Sequence, residues 1–402
     1  MPTRYWRRNL ATLWVAQMLN MMAFTFFFPF IPLYIQTLDV RGAVEAAQWA
    51  GAISAIPSLT MAISQPFWGR MADRFGRKPM VIRSMVANSI TTLLMAFATS
   101  AGQLLALRTA QGLVTGTIAA TTVLVATCTP KERLGFALGL LQVAVFVGAS
   151  IGPLAGGLIA DSFGYRPAFF LSAAQMVVGM IVVVVFTREE FTPPKAEAQH
   201  TSFWVESKSI LSIGLVPLLL GVIFLTQFGN TTVGPLLSLY VAELAGNENA
   251  ATAAGIIFGV TGAVSAASAL GAGRIGDRIG HRVVLPVCLL GTAISYFPQA
   301  FVQQVWQLLL LRIATGAFLG GLMPSANALV ASLIPRQRRG AAFGLTSSAT
   351  SLSNFAGPIF GAGIATTFGM REVFLATGAI FAAAYGWAML GFRRDDTPEG
   401  KA

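Results

Sequence analysis

The stretch GRMADRFGRK, Gly69 to Lys78, decides how the chain is organised. It is short and strongly basic, and it carries one carboxylate, Asp73, between two long apolar stretches. The pattern returns as GRIGDRIGHR from Gly273, which is 204 positions later (273 minus 69) and again lies between apolar stretches. A loop that recurs in matching surroundings indicates that the chain was built by duplicating one unit.

The composition predicts a membrane protein. Of 402 residues, 55% are hydrophobic and 11% are charged, whereas a soluble protein carries about a quarter charged residues. The basic residues that give the net charge of +11 occur in short clusters between apolar runs. Cytoplasmic loops of membrane proteins carry such an excess of basic residues, so we expect no nucleic-acid partner. Cys128 and Cys288 lie one in each half without metal-like neighbours, and we expect them to pack as small apolar residues with no metal bound.

Hydropathy predicts twelve helical spans, each long enough to cross a bilayer. The predicted spans cover residues 10–36, 48–68, 79–99, 103–127, 135–160, 166–187, 213–241, 251–272, 283–301, 305–331, 340–366 and 371–392. The basic residues in the loops predicted to lie outside are only Arg41, Arg166 and Arg371, while the remaining loops are rich in Arg and Lys. This asymmetry predicts that both termini are cytoplasmic.

The predicted domains are a six-helix bundle over 1–187, a cytoplasmic linker over 188–212 and a second six-helix bundle over 213–402. The linker contains Pro193, Pro194 and several charges, and it is too short to pack by itself. The start is not expected to be a cleavable signal, because the apolar run from Leu10 to Ile35 is too long.

The duplication extends beyond the basic loop. Three further segment pairs match at offsets of 204 to 206 residues: PFIPLYI from Pro29 with PLLSLYV from Pro235, LxxxRxxxG around Arg108 and Arg312, and the runs beginning GPLAGG at Gly152 and GPIFGA at Gly357. Because six spans is an even number, both halves have the same orientation. We expect an axis along the membrane normal to relate them, with a site between them near the midplane.

These residues resemble the major facilitator superfamily, and among its members the twelve-span drug/proton antiporters. The cytoplasmic loop signature matches Gly69 to Lys78, the fourth-span signature matches Arg108 and Gly112, and GASIGPLAGG from Gly148 is similar to the fifth-span pattern of exporters. The resemblance covers essentially the whole chain. It implies a secondary active exporter of drugs or other small molecules that works by alternating access.

The resemblance implies a conformational latch in the basic loop. The family's Asp, here Asp73, binds the start of span eleven, near Gly340 to Gly344, when the cytoplasmic side is shut, since a helix start favours a negative charge. Gly69 and Gly76 permit tight turns and close backbone approach. The other latch candidates are Arg74 and Arg77, with a weaker equivalent set of Gly273, Asp277 and Arg278. Alternatively, the basic residues only set the topology.

Arg108 is costly inside a span and should face the interior with a partner. Gln111 and Thr115 lie at i+3 and i+7 on the same helix face, and no Asp or Glu occurs inside a predicted span. Arg108 should therefore pair with amides or backbone carbonyls. The resemblance implies a role in proton coupling, but a structural tie between spans stays open for Arg108 and is favoured for Arg312. The missing carboxylate leaves the route of the proton open, including whether a loop carboxylate such as Glu132 or Asp73 carries it.

Two further patterns concern packing and cargo. Gly148, Gly152 and Gly156 have the small-xxx-small spacing that lets another helix approach closely, and Pro153 bends the helix there. This line of contact between helices, the seam, either controls how easily the outer side of the protein opens or serves helix packing alone. Amide and aromatic stripes predict an uncharged substrate chamber, although each amide could instead make an interhelical hydrogen bond. The chamber candidates are Gln17, Asn20, Phe24, Gln111, Gln142, Phe146, Gln227, Asn230, Met323, Asn327, Ser351 and Asn354.

We expect a monomer in the bacterial inner membrane that exports lipophilic or cationic small molecules, contacts membrane lipid and is driven by a proton gradient without a cofactor. The alternative is a carrier of a neutral solute or lipid, such as a sugar, amino acid, siderophore or lysolipid. An enzyme is not expected, because the two histidines lie in loops and no acid pair lies inside a span. No phosphate-binding Walker motif is present, so ATP would not drive transport through this chain.

Overall fold

The computed structural model describes residues 5–40, 42–130, 133–189, 209–246, 249–334 and 339–395. Within these ranges the side chains of Asp73, Arg339, Gly340, Ala341, Arg394 and Asp395 lie outside the description. The described residues form helices joined by short turns, and no strand occurs among them.

The helices follow the apolar runs of the sequence. They are α1 (Trp6–Thr25), α2 (Ile31–Gln36), α3 (Gly42–Phe75), α4 (Arg77–Met95), α5 (Ala101–Val114), α6 (Thr117–Cys128), α7 (Leu134–Phe163), α8 (Tyr165–Phe186), α9 (Val216–Ala245), α10 (Ala250–Ile279), α11 (His281–Tyr296), α12 (Val305–Leu333), α13 (Arg339–Thr367) and α14 (Met370–Asp395). A short 3₁₀ helix, Phe297–Phe301, extends α11.

Eight helical stretches in the described part of the chain are long and apolar enough to cross a membrane. They are Ala101–Cys128, α7, α8, α9, α10, His281–Phe301, α12 and Met370–Arg393. Helices α1, α3, α4 and α13 are 20, 34, 19 and 29 residues long but more polar, because they carry residues such as Gln17, Asn88 and Asn354. The chain is therefore a multi-pass membrane protein, and the count of twelve spans stays a prediction.

Three predicted spans are not continuous helices, which corrects the sequence prediction. The first span (10–36) is interrupted by turns over residues 26–30, next to Pro29, before α2 begins. The fourth span (103–127) breaks between Val114 and Thr117, where Thr115 is extended and Gly116 has a φ of +144°. The ninth span (283–301) changes to 3₁₀ geometry at Phe297, ahead of Pro298. Proline and glycine are the residues that commonly break helices in this way.

Contacts between Cα atoms divide the chain into two compact units. Unit 1 contains Met1–Ala196 and Leu237–Gly259, and unit 2 contains Glu197–Leu236 and Val260–Ala402. The domain limits predicted from the sequence stay predictions.

Both units repeat the same internal contacts at equivalent residues. A Cβ added at Gly112 would lie 2.5 Å from the Pro57 carbonyl oxygen in unit 1, and one added at Gly316 would lie 2.8 Å from the Thr261 carbonyl oxygen in unit 2. Each pair is 204 positions from its counterpart (316 minus 112 and 261 minus 57). The duplicated sequence therefore builds the same close helix crossing twice.

Candidate functional site: a buried polar network and an interhelical seam

Arg108 lies inside unit 1 with 2% of its surface exposed. Its Nη1 donates a hydrogen bond to Oε1 of Gln111 over 2.9 Å, and its Cζ lies 4.6 Å from the centroid of the Phe27 ring. The partner of the guanidinium is thus an amide one helical turn along α5, as the spacing predicts, together with an aromatic face. A planar guanidinium can lie near an aromatic face and donate a directed hydrogen bond at the same time, a combination that the single ammonium group of lysine does not reproduce.

The network continues from Gln111 into α4. Nε2 of Gln111 donates to the Thr92 hydroxyl over 3.3 Å. The hydroxyl of Thr115 donates to Oδ1 of Asn88 over 2.7 Å, at the place where α5 ends. Thr115 therefore contacts the same helix, α4, as Gln111 does, although α5 itself ends at Val114.

Arg312 occupies the equivalent place in unit 2 with 6% exposure. Its Cζ lies 5.4 Å from the Tyr296 ring centroid and 5.7 Å from that of Phe374. A neighbouring hydroxyl, Thr315, accepts a 2.9 Å hydrogen bond from Nε2 of Gln299. Both buried arginines are therefore held by aromatic rings close to amide and hydroxyl groups.

The described acidic residues lie outside the helices or within four residues of a helix end. Glu45 and Glu372 are in first turns, and Asp161, Glu243 and Asp277 are each third from the end of their helix. Glu132, one possible proton carrier, lies outside the described residues. The buried arginines consequently have no carboxylate at the same depth in the described helices.

The fifth-span glycines pack against α1. A Cβ atom added at Gly148 would lie 2.6 Å from the Met18 carbonyl oxygen, and one added at Gly152 would lie 2.5 Å from the Met22 carbonyl oxygen. A Cβ atom added at Gly156 would collide with the Phe26 carbonyl. Unit 2 repeats the seam, since Cβ atoms at Gly357 and Gly361 would collide with Thr231 and Thr232 of α9. The small residues thus allow helix contact within each unit.

A different face of α7 meets the beginning of α10, and both parts belong to unit 1. The added Cβ of Gly255 would collide with the Pro153 carbonyl, and that of Gly157 with the Ala251 carbonyl. Oδ2 of Asp161 accepts a hydrogen bond of 2.6 Å from the backbone N–H of Thr252, one of the first residues of α10. Sequence reasoning missed Asp161; its one signal is a lone carboxylate directly after the small-residue run.

The basic loop has a different geometry from the predicted one. Gly69 lies inside α3 with open space around it, so the turn falls at Gly76 alone, with a φ of +93°. The carboxylate of Glu189 accepts hydrogen bonds from the backbone N–H groups of Arg77 (2.8 Å) and Lys78 (2.7 Å). It therefore caps the start of α4, a role that the sequence did not suggest.

The latch itself is untested, because the Asp73 side chain lies outside the described part of the chain. Arg74 has its Cζ 5.3 Å from the ring centroid of the adjacent Phe75. In the second copy, Gly273 has open space and Arg278 is exposed. Asp277 lies 3.4 Å from Nε2 of His281, which stands where the first copy has Arg77.

The chamber candidates have three kinds of surroundings. Both amide atoms of Gln17 and Oδ1 of Asn20 and of Asn327 are buried without a hydrogen-bond partner in the described structure. Gln227 donates from Nε2 to Oδ1 of Asn354 over 2.8 Å. The remaining candidates are half-buried (Phe24, Phe146, Asn230, Met323 and Ser351) or exposed (Gln142).

One small cavity of about 50 Å³ brings two of the predicted residues together in unit 1. Phe24 and Gln111 line it with Pro57, Ser58, Met61, Gly112 and Thr115. Its wall therefore combines an aromatic ring, a thioether, hydroxyls and an amide, beside the Arg108 network. Thioether and aromatic groups adapt to varied shapes of ligand.

The chain belongs to the major facilitator superfamily. The family model described as Major Facilitator Superfamily matches residues 13–270 and 219–402. The chain is 38% identical to the multidrug resistance protein MdtG of Citrobacter koseri and 39% identical to MdtG of Salmonella arizonae, in each case over 97% of both chains.

Solved structures agree on the fold. A bacterial homologue of the human lysosomal transporter Spinster, in an inward-facing and occupied conformation, superposes with a TM-score of 0.81 at 16% identity over 97% of this chain and 98% of that one. The human organic anion transporter MFSD10 gives a TM-score of 0.70 at 18% identity over 96% of this chain and 100% of that one.

Proposed function

We propose that the protein is a secondary active exporter of lipophilic small molecules, working as a monomer in the bacterial inner membrane by alternating access. The observation that carries the proposal is the identity of 38–39% over 97% of both chains with proteins named multidrug resistance protein MdtG. Catalysis forms no part of this proposal.

Buried amides without protein partners support a chamber for cargo or water. An unpaired amide costs free energy in a membrane interior. Gln17 is 1% and Asn20 4% exposed, yet three of their four amide oxygen and nitrogen atoms have no partner in the described structure. A bound solute or water would satisfy these groups, and both lie on α1 with Phe24, which lines the cavity.

The charges of the described helices bear on the class of cargo. Arg108 and Arg312 are buried, while the described carboxylates lie near helix ends or in loops. A cation would therefore meet positive charge at this depth and no counter-charge. We propose that neutral or anionic lipophilic compounds are better cargo than the cationic compounds that the family resemblance suggests.

The contact between α7 and α10 supports a gate at the end of these helices that is predicted to face outward. The N–H groups at the start of a helix have no partner within it and carry partial positive charge, so a carboxylate stabilises them. Asp161 supplies this carboxylate at 2.6 Å from the Thr252 nitrogen. We propose that the contact holds the outer side closed and separates when cargo leaves.

Proton entry is proposed as the driving force, without a bound cofactor. The decisive experiment is export by the purified protein in liposomes, using one anionic, one neutral and one cationic fluorescent lipophile. Each is measured with and without an imposed pH gradient. Accumulation that requires the gradient supports proton antiport.

Two results would contradict the proposal. Equal transport with and without the gradient would overturn the coupling. Selective uptake of a sugar, amino acid, siderophore or lysolipid, with no movement of the dyes, would instead favour a carrier of a neutral solute or lipid.

A further inference from the structure

A groove lies between the first two turns of α1 and of α7, apart from the polar network. Its volume is about 280 Å³. The residues that line it are Trp6, Arg7, Leu10 and Ala11 from α1, and Arg133, Phe136 and Leu140 from the start of α7. All of them belong to unit 1.

The groove is positive at one end and apolar along its length. Arg7 and Arg133 are both exposed, and none of the lining residues is acidic. The Cζ of Arg7 lies 5.5 Å from the Trp6 ring centroid. This combination fits a ligand with an anionic head and a hydrocarbon part.

The order of residues on both helices places the arginines at the depth of lipid headgroups. Arg7 is the second residue of α1, and Leu10 and Ala11 follow one turn deeper on the same face. Arg133 immediately precedes α7, and Phe136 and Leu140 follow one and two turns deeper. Phe136 is 64% exposed, so an apolar surface continues inward from each arginine. Trp6 is of the residue type enriched at membrane interfaces.

We propose that this groove binds an anionic phospholipid of the cytoplasmic leaflet. The phosphate lies against Arg7 and Arg133, and an acyl chain runs along Phe136 and Leu140. Basic pockets between helices on the cytoplasmic side are suited to such headgroups, and each arginine near the surface contributes about fivefold to the affinity. A zwitterionic lipid has its own ammonium group and is held less strongly.

The test measures lipid retention by native mass spectrometry, after purification from bilayers containing equal phosphatidylglycerol and phosphatidylcholine. The full-length protein should retain phosphatidylglycerol preferentially. Arg7→Gln and Arg133→Gln should each lower that retention about fivefold, and the double variant more than tenfold. Arg70→Gln, which removes an exposed arginine of α3 away from the groove, is the matched control and should retain the lipid.

A second pair of variants covers the possibility that the Gln variants do not fold. Arg7→Lys and Arg133→Lys keep the charge and should keep most of the preference. Equal retention of both lipids by the unaltered protein, or unchanged retention in a folded double Gln variant, would overturn the proposal. So would displacement of the lipid by millimolar inorganic phosphate, which would indicate a phosphate site. Retention is measured without transport, so failure here leaves the proposed export untouched.

Discussion

The guanidinium of Arg108 joins α5 to the Phe27 ring and, through Gln111 and Thr92, to α4. We predict that Arg108→Lys lowers the export rate at least tenfold, since lysine keeps the charge but loses the planar stack and the fixed hydrogen bond. A hydrogen bond to a charged group contributes about 1.5–3 kcal/mol. Initial rates in liposomes, normalised to the folded protein, measure the effect.

The control for Arg108 is Arg371→Lys, because Arg371 is exposed in the first turn of α14, outside the basic loop. It should leave the rate unchanged. If Arg108→Lys transports at the normal rate, the buried arginine acts only as a positive charge and its geometry is irrelevant.

Gly156 has no room for a side chain, because an added Cβ would collide with the Phe26 carbonyl. We predict that Gly156→Ala destabilises the protein by about 1–3 kcal/mol, since the backbones of α1 and α7 must separate. Thermal unfolding in detergent measures the loss. On the same helix, Gly139 has no heavy atom within 4 Å of an added Cβ, so Gly139→Ala should be neutral or slightly stabilising. Equal melting temperatures for the two variants would contradict the close contact.

At the scale of single residues, sequence reasoning was most successful where spacing decides the contact. The i+3 spacing placed Gln111 on the same helix face as Arg108. Their hydrogen bond is one of the pairings with an amide or a backbone carbonyl that the sequence predicted for Arg108. The same reasoning missed the end of α5 at Val114, although Thr115 still contacts α4 beside Gln111, through Asn88. Spacing predicts which residues share a face, but it does not show where the helix breaks.

At the scale of the helices, Asp161 joins the end of α7 to the start of α10. We predict that Asp161→Ala makes the outer side open more easily, because loss of a helix cap costs about 0.5–2 kcal/mol. A cysteine at Ser150, whose backbone carbonyl oxygen lies 2.8 Å from a Cβ added at Gly259 of α10, should then react faster with a membrane-impermeant maleimide.

Glu243→Ala is the matched control for Asp161, because Glu243 is also an exposed acid third from the end of its helix. It should leave the labelling rate unchanged. An equal rate for Asp161→Ala and the unaltered chain would remove Asp161 from the proposed gate.

An amide pair joins α9 to α13 within unit 2. Nε2 of Gln227 donates to Oδ1 of Asn354 over 2.8 Å. In a double-mutant cycle of Gln227→Leu and Asn354→Leu we predict a coupling energy of about 0.6–2 kcal/mol, since polar pairs within membranes are worth that much. Unfolding in mixed micelles measures it. A coupling energy near zero would mean that water or cargo, rather than the partner amide, satisfies each group.

At the scale of the whole molecule, the distribution of charge should select the cargo. We predict that an anionic lipophile is exported at least several times faster than a cationic one of equal size, because the buried arginines face no described carboxylate at their depth. Competition between matched dyes in liposomes measures the preference. Faster export of the cation would show that an acidic residue outside the described set, or a loop carboxylate, reaches the chamber.

The sequence by itself determined the duplication, the apolar spans, the membership of the superfamily and the pairing of Arg108 with an amide. Hydropathy reports the apolar spans, matched segments 204 to 206 positions apart report the duplication, and short motifs carry the resemblance to the superfamily. Helical spacing places Gln111 on the same face as Arg108. Only the tertiary structure decided that Gly148, Gly152 and Gly156 pack on α1, that Thr115 turns towards Asn88, and that Asp161 binds the Thr252 backbone 91 residues away. Helical spacing places a side chain on a face, but the helix that covers this face is set by the packing of all helices in the unit.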